Sequence, residues 1–353
     1  MQSNDDISNT SCTVTGFVLN SLSRMIDQFN REINYLRVSI TDRCNLRCRY
    51  CMPKEGVSVL GHEDILRYEE ILRIVEAGVR LGIVKVRITG GEPLVRRGVV
   101  HFFSMLKTLD GLRDITLTTN GILLEEFAES LYDAGVKRIN ISLDSLNPEK
   151  YALITRGGNL NRVLRGIEKA SRLGFSPIKI NVVAIKDFNE DEILDFAGLA
   201  RKGTCQVRFI ELMHVGNAAD HNQLNYISNL VIMERISRVY PLIPVSDRSR
   251  MDGPARIYRM EDAAGEIGFI DSGDQHLCKS CNRLRLTADG HLRACLLVDD
   301  EMDIKTPLRS GCNDSELESL ISLAIMRKPD SHNCLRQSRH IKKCIKEMHS
   351  IGG

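Results

Sequence analysis

The stretch Tyr35–Cys51 reads YLRVSITDRCNLRCRYC. Its first half alternates, Leu36, Val38 and Ile40 against Arg37, Ser39 and Thr41, which is the period of a β-strand. Its second half spaces Cys44, Cys48 and Cys51 as C-x3-C-x2-C, with Arg43, Arg47 and Arg49 between or before them. A strand that runs directly into three thiols is a βα edge carrying chemistry. Structural zinc needs four ligands, and the nearest histidine, His62, lies eleven residues past Cys51. A four-iron cluster fits better. Three cysteinates hold three irons, the fourth iron stays open, and the arginines lower thiolate pKa and offset cluster charge.

The alternation returns at 84–89, where Lys85, Arg87 and Thr89 oppose Val84, Val86 and Ile88. It returns again at 115–119, 138–144 and 178–182, and less regularly at 207–213. Between the strands, apolar residues at helical spacing cover 64–81 (closed by Gly82) and roughly 97–109, 123–134, 160–173 and 191–202. Six such alternations predict parallel strands with crossover helices. Parallel strands buried on both faces read as continuous apolar runs, so strands that alternate must turn one face to something polar. The expected fold is therefore α/β, a partial, open (β/α)6 barrel. Its lumen is lined by Arg37, Lys85, Arg87, Thr118, Ser142, Lys179 and Asn181. A one-sided sheet with its polar face in solvent is the alternative.

After about residue 215 the rhythm changes. A helical pattern at 220–240 precedes strand-like pieces at 255–259, 266–270, 283–287 and 291–296, and helical patterns at 314–328 and 337–349. The expected division is a lead-in over 1–33, a barrel core over 34–215 and a smaller α+β region over 216–353. That region carries Cys278, Cys281 and Cys295, spaced C-x2-C-x13-C. This spacing leaves zinc open, with His276 or His291 as a fourth ligand. Arg283 and Arg285 alternate on one side of a strand and, beside a fixed metal, form a clamp for phosphate or carboxylate.

The composition is that of an ordinary globular chain, 42% hydrophobic and 27% charged over 353 residues, with a net charge of +2 that predicts no nucleic-acid partner. No apolar run reaches membrane-helix length, and the first thirty residues make a poor signal or transit peptide. A cytoplasmic protein is expected. In that setting clustered cysteines point to metal or redox chemistry before disulfides. The scattered Cys12, Cys205, Cys312, Cys334 and Cys344 read as small buried hydrophobes.

The cysteine triplet with Tyr50 before its last member, and Gly90-Gly91-Glu92-Pro93 after the second strand, resemble the radical S-adenosylmethionine (radical SAM) superfamily. The stretches "LRVSITDRCNLRCRYCMP", "VRITGGEPLVRR", "TTNG", "NISLDSL", "TRGG", "IKINVV", "RFIELM", "CNRLRLTADGHLRACL" and the terminal Gly-Gly resemble, in order, those of the GTP 3′,8-cyclase family of molybdenum cofactor biosynthesis. The resemblance spans 36–353. It implies a radical SAM (TIM-like) barrel with a C-terminal region that binds a second cluster. It implies a lyase that turns GTP into (8S)-3′,8-cyclo-7,8-dihydroguanosine 5′-triphosphate with two [4Fe–4S] clusters and S-adenosylmethionine. By the same resemblance Cys44, Cys48 and Cys51 hold the first cluster, and Cys278, Cys281 and Cys295 the second. Tyr50, Gly91, Ser142 and Met213 meet S-adenosylmethionine. Arg37, Arg87, Thr118, Lys179, Arg283 and Arg285 meet GTP, the last two counted with the first triplet as catalytic. Lys85 and Arg208 support the cavity. Implied partners are a second copy in a homodimer, an unspecified electron donor and a downstream cyclic pyranopterin monophosphate synthase. The terminal Gly352-Gly353 is implied to reach the active site. His214 stands where many members carry proline, and residues 1–20 have no counterpart. Two other functions fit parts of the pattern: a peptide-modifying radical maturase, whose C-terminal cysteine array is usually longer, and a non-enzymatic zinc-stabilised binding protein.

Overall fold

Period-two strands place one set of side chains against helices and the other toward whatever the sheet encloses. The computed structural model describes residues 25–213, 226–246, 253–272 and 278–330, with 344, 346 and 348–351 near the C-terminus. Strands β1 (Tyr35–Ser39), β2 (Lys85–Thr89), β3 (Asp114–Thr119), β4 (Arg138–Ser142), β5 (Ile178–Ala184) and β6 (Gln206–Glu211) pair in parallel in chain order. They belong to one twelve-stranded sheet with β7 (Leu242–Pro244), β8 (Arg256–Met260), β9 (Glu266–Ile270), β10 (Arg283–Leu286), β11 (His291–Arg293) and β12 (Met302–Asp303). The order is β12-β11-β10-β1-β2-β3-β4-β5-β6-β9-β8-β7, an open sheet.

Two of the later strands lie where periodicity alone could not put them. β10 joins β1 in parallel and β9 joins β6 in parallel, so the six expected strands become eight. The edges of an open barrel carry unpaired N–H and C=O groups, and these strands satisfy them.

The outward face is apolar. Leu36, Val38, Val86, Ile88, Leu117, Ile139, Ile141, Ile180, Val207 and Phe209 are buried in one core with residues from the covering helices. These are α1 (Tyr68–Arg80), α2 (Val99–Lys107), α3 (Leu124–Asp133), α4 (Pro148–Thr155), α5 (Leu160–Arg172) and α6 (Ile193–Lys202). Each fully buried side chain of this kind contributes about 1.5–3 kcal/mol, so this face is the main source of stability. α4 escaped the periodicity argument because its apolar face is weak, although Asn147-Pro148 is a helix-start signal. The Asn147 side chain accepts from the N–H groups of Glu149 and Lys150, and Pro148 opens the helix. Helices α7 (Asn229–Ser237), α8 (Lys305–Arg309) and α9 (Asp314–Met326) follow. The pattern at 337–349 falls mostly outside the described residues.

α8 ties the C-terminal region to the start of α1. Arg309 donates to both Glu70 oxygens (2.8 and 3.1 Å), to the Ile65 carbonyl (3.0 Å) and to the Glu63 carbonyl. Glu70 also accepts the Arg67 N–H at 2.6 Å, closing a capping box. Burial alone would push the Glu70 carboxyl up, but Arg309 and the Arg67 N–H bring it down to about 2. A carboxylate depressed by folding stabilises above its ordinary value of 4.5 and loses that contribution as pH falls toward 2. Glu70→Gln is expected to lower stability at pH 7 by on the order of 1–3 kcal/mol and to flatten the fall in stability between those pH values. Urea unfolding at a series of pH values checks this, and an unchanged acid limb would contradict it.

Candidate active site

The inward-facing strand positions fall into register across the sheet. One layer runs Arg285, Arg37, Arg87, Thr116, Arg138 from β10 to β4. The next runs Thr118, Asn140, Lys179, Gln206 from β3 to β6. A third runs Ser142, Asn181, Arg208 from β4 to β6. Arg37, Arg87, Thr118, Ser142, Asn181, Arg208, Arg283 and Arg285 line one cavity with Tyr50 and Met213. The alternation therefore reports a lumen, not a solvent-facing sheet. Lys179 is buried in the same layer but not on that wall.

Charge is crowded here. Burial depresses Arg37 well below the usual arginine range, and the neighbouring Arg285 and Arg87 add to it. Burial also lowers Lys179, to about 6, with Arg208, Arg138, Arg87 and Lys85 adding repulsion. Asp114 answers two of the cations, Lys85 and Arg138, each at 2.9 Å. Several buried polar atoms have no partner among the described residues: the Tyr35 hydroxyl, Thr118 Oγ1 and Asn181 Oδ1. Buried polar groups are nearly always hydrogen-bonded, so these atoms mark a polar ligand's place.

At the strand ends, the cysteine loop rests on the glycine pair. A Cβ on Gly91 would stand 2.4 Å from the Arg43 carbonyl oxygen, and the Gly91 N–H donates to Thr41 O at 2.6 Å. Only glycine permits that approach. Gly91 thus abuts the cysteine loop and not the cavity wall. Glu92 accepts from the N–H groups of Leu94 and Asn120 and from the Thr119 hydroxyl, and burial raises it to about 7 despite these bonds. Asn120 Nδ2 lies 3.8 Å from the Cys44 sulfur, which also accepts the Leu46 N–H at 3.4 Å. Burial pushes the Cys48 thiol well up, and the charges of Cys51, Asp144 and Cys44 add to it. Burial raises Cys44 as well, and thiols held up in this way ionise when a cationic group binds, which fits an iron cluster.

The second group is biased differently. Burial raises Cys281, but Arg283 and Lys328 outweigh it and bring the thiol down to about 5. Lys328 donates to the carbonyls of Arg283 and Ala294, both at 2.7 Å. Thiolates beside fixed cations suit a cluster here too. Among the described residues, no three His, Cys, Asp or Glu side chains are grouped as ligands of one metal ion, at this cysteine group or at the first. His291 turns its Nδ1 to Asp289 at 3.2 Å, and His276 lies outside the described residues.

Comparison with known proteins agrees with this arrangement. Residues 38–200 match the radical SAM superfamily and 205–334 the Molybdenum Cofactor Synthesis C family. A GTP 3′,8-cyclase of Moorella thermoacetica is 51% identical over 332 residues, 93% of this chain and 100% of that protein. The chain belongs to the GTP 3′,8-cyclase family. A second member, from Thermodesulfovibrio yellowstonii, is 50% identical over 331 residues, again 93% and 100% of the two chains. Among solved structures, Streptococcus suis SuiB bound to S-adenosylmethionine superposes with a TM-score of 0.56 at 15% identity, covering 88% of this chain and 76% of that one. That likeness shows the fold alone. Among the described residues no helix is long and apolar enough to cross a membrane.

Tyr35, Asp144 and Glu211 also line the cavity of this family member. The Lys85 ammonium lies 5.1 Å and the Arg87 guanidinium 5.4 Å from the centre of the Tyr35 ring. The signal for Tyr35 was its place two residues before Arg37. Asp144, which ends the 138–144 alternation, accepts the Tyr50 hydroxyl at 2.6 Å. Glu211 accepts from the Asn229 N–H and from the N–H and hydroxyl of Ser272, joining loops far apart in sequence, and had no signal.

Lys179 supplies the test of this electrostatics. Its folded state binds protons less readily than the unfolded chain between pH 6 and 10.5, so stability rises with pH across that window. Lys179→Met is expected to remove that slope and to be at least as stable as wild type at pH 7, because an amine that must give up its proton on folding is replaced by an apolar chain. Denaturant unfolding at pH 7 and 9 measures both. A variant less stable at pH 7 would contradict the assignment.

Proposed function

We propose that this chain cyclises GTP to (8S)-3′,8-cyclo-7,8-dihydroguanosine 5′-triphosphate, the first step of molybdenum cofactor biosynthesis, using two [4Fe–4S] clusters and S-adenosylmethionine. The observation that carries the reading is the run of inward cations from β10 across β1 to β6, set between the two cysteine groups. Cys44, Cys48 and Cys51 hold the first cluster, and Cys278, Cys281 and Cys295 the second. When bound, the first cluster supplies the electron that cleaves S-adenosylmethionine to the radical that removes hydrogen from the substrate ribose.

Everything else is done by the chain's own groups. Tyr50, Gly91, Ser142 and Met213 hold S-adenosylmethionine, with Asp144 fixing the Tyr50 hydroxyl. Arg37, Arg87 and Lys179, backed by Lys85 and Arg208, bind the triphosphate through charge-assisted hydrogen bonds. Thr118 orients the nucleotide, and Arg283 and Arg285 meet its guanine end beside the second cluster. Anchoring at both ends holds ribose C3′ and guanine C8 near each other, so the chain's contribution is positioning. Ile210, Leu212, Ile270, Leu296 and Met348 on the cavity wall exclude water from a reactive intermediate. A homodimer, a cytoplasmic setting and hand-over to a cyclic pyranopterin monophosphate synthase complete the proposal and rest on family membership.

Anaerobic reconstitution tests it. About eight irons per chain are expected for two cubane clusters. 5′-Deoxyadenosine release should rise with GTP, and Cys281→Ala should lose GTP conversion. Zinc in place of iron, or release indifferent to GTP, would overturn the reading. Gly352 and Gly353 lie outside the described residues, but Ile351 is buried in a small cluster with Cys344, against which Met213, Leu296, Leu297 and Met348 pack. Deleting the two glycines is expected to abolish cyclisation while cluster content stays at the wild-type level. Intact cyclisation would remove the tail from the site.

A further inference from the structure

The stretch TRGG, Thr155–Gly158, has no part in the chemistry above, yet it is bound to the first cysteine loop along its length. The Arg47 N–H donates to Thr155 O at 3.1 Å and the Arg49 N–H to Ile154 O at 2.9 Å, so the last carbonyls of α4 are satisfied by the loop. Gly158 lies beneath it: a Cβ there would stand 2.5 Å from Thr155 Oγ1, 2.8 Å from Tyr151 Cε1 and 3.2 Å from Leu46 Cδ2. Between them, Arg156 has φ 55°, a left-handed backbone that is strained for any residue with a Cβ. Glycine would fit this helix end without strain. The arginine is used differently. Its Nη1 donates to Arg47 O at 3.1 Å and to Met52 O at 2.9 Å, and among the described residues no carboxylate pairs with it.

These two carbonyls bracket the segment that carries Cys48 and Cys51. Inside the bracket the segment bonds to its own backbone twice, from the N–H groups of Cys51 and Met52 to Cys48 O. We propose that Arg156 is a positioning residue for the first cysteine loop, pinning both ends of Arg47–Met52 to α4 so that the thiols are held in place before a cluster binds. Strain kept at a site that glycine would relax is the mark of a side chain that is needed there. The proposal rests on the reading that Cys44, Cys48 and Cys51 hold a cluster.

The test uses the full chain, loaded anaerobically. Arg156→Gly keeps the left-handed turn and removes the guanidinium, so its unfolding temperature should match or exceed that of wild type. Iron bound by the first loop should pass to a chelator roughly ten- to a hundredfold faster, the usual effect of removing a group that orients metal ligands. Methylguanidinium in the buffer should restore slow release, and Arg156→Lys, which reaches one carbonyl, should fall between. The change that S-adenosylmethionine causes in the reduced cluster's EPR spectrum should broaden in Arg156→Gly. Iron release at the wild-type rate in both variants, with the spectrum unchanged, would overturn the proposal. If wild-type chain binds no iron through these cysteines, the cluster reading fails instead. Hydrogen exchange in the metal-free chain then decides the brace alone: faster exchange at the Arg47 and Arg49 amides of Arg156→Gly supports it, and unchanged exchange refutes it.

Discussion

Like charges share a buried space inside the sheet of this molecule. Arg37, Arg87, Arg208 and Arg285 face one another from strands that hydrogen bonding holds about 4.8 Å apart, and the same crowding drives the proton off Lys179. Asp114 offsets part of that charge from below, through Lys85 and Arg138. In a low-dielectric interior such repulsion is large, and a protein selected for stability alone would not retain it. The apolar outward face, continuous with the helices, keeps the strands together regardless. A bound polyanion reverses the sign of the interaction and turns a destabilising lumen into a binding site.

The two cysteine groups sit at opposite ends of this charge. The first follows β1 and rests on the glycine pair after β2, so one close contact, Gly91 against the Arg43 carbonyl, joins the ligand loop to the neighbouring loop. The second lies beside β10, which pairs with β1. β1 is thus the strand common to both, and Arg37 on it is in register with Arg87 on one side and Arg285 on the other. A single strand fixes the distance between the two chemical ends.

Much of this was legible in the sequence because period-two alternation is a strong local signal. Arg37, Arg87, Thr118, Ser142 and Asn181 could be placed inward from their apolar neighbours alone, and the structure puts all five on one cavity wall. What the sequence hid depends on long-range pairing. Nothing local in Glu266–Ile270 or Arg283–Leu286 says that these strands extend the barrel at its two edges. Nothing local in Glu211 says that it ties α7 to the loop after β9. Tyr35 and Asp144 were visible as members of an alternation, but their roles depend on Lys85, Arg87 and Tyr50, which approach from other strands and loops. α4 was hidden by a weak apolar face despite its asparagine–proline start.

Competition binding tests the role of the crowded cations most directly. GTP should be displaced from the cluster-loaded chain by inorganic triphosphate, which carries the charge and nothing else. Guanosine should displace it poorly, and GTP affinity should fall as salt rises, since charged contacts dominate. If inorganic triphosphate fails to compete while guanosine succeeds, and GTP affinity is indifferent to salt, the inward cations do not hold the phosphates and the electrostatic account of the lumen is wrong.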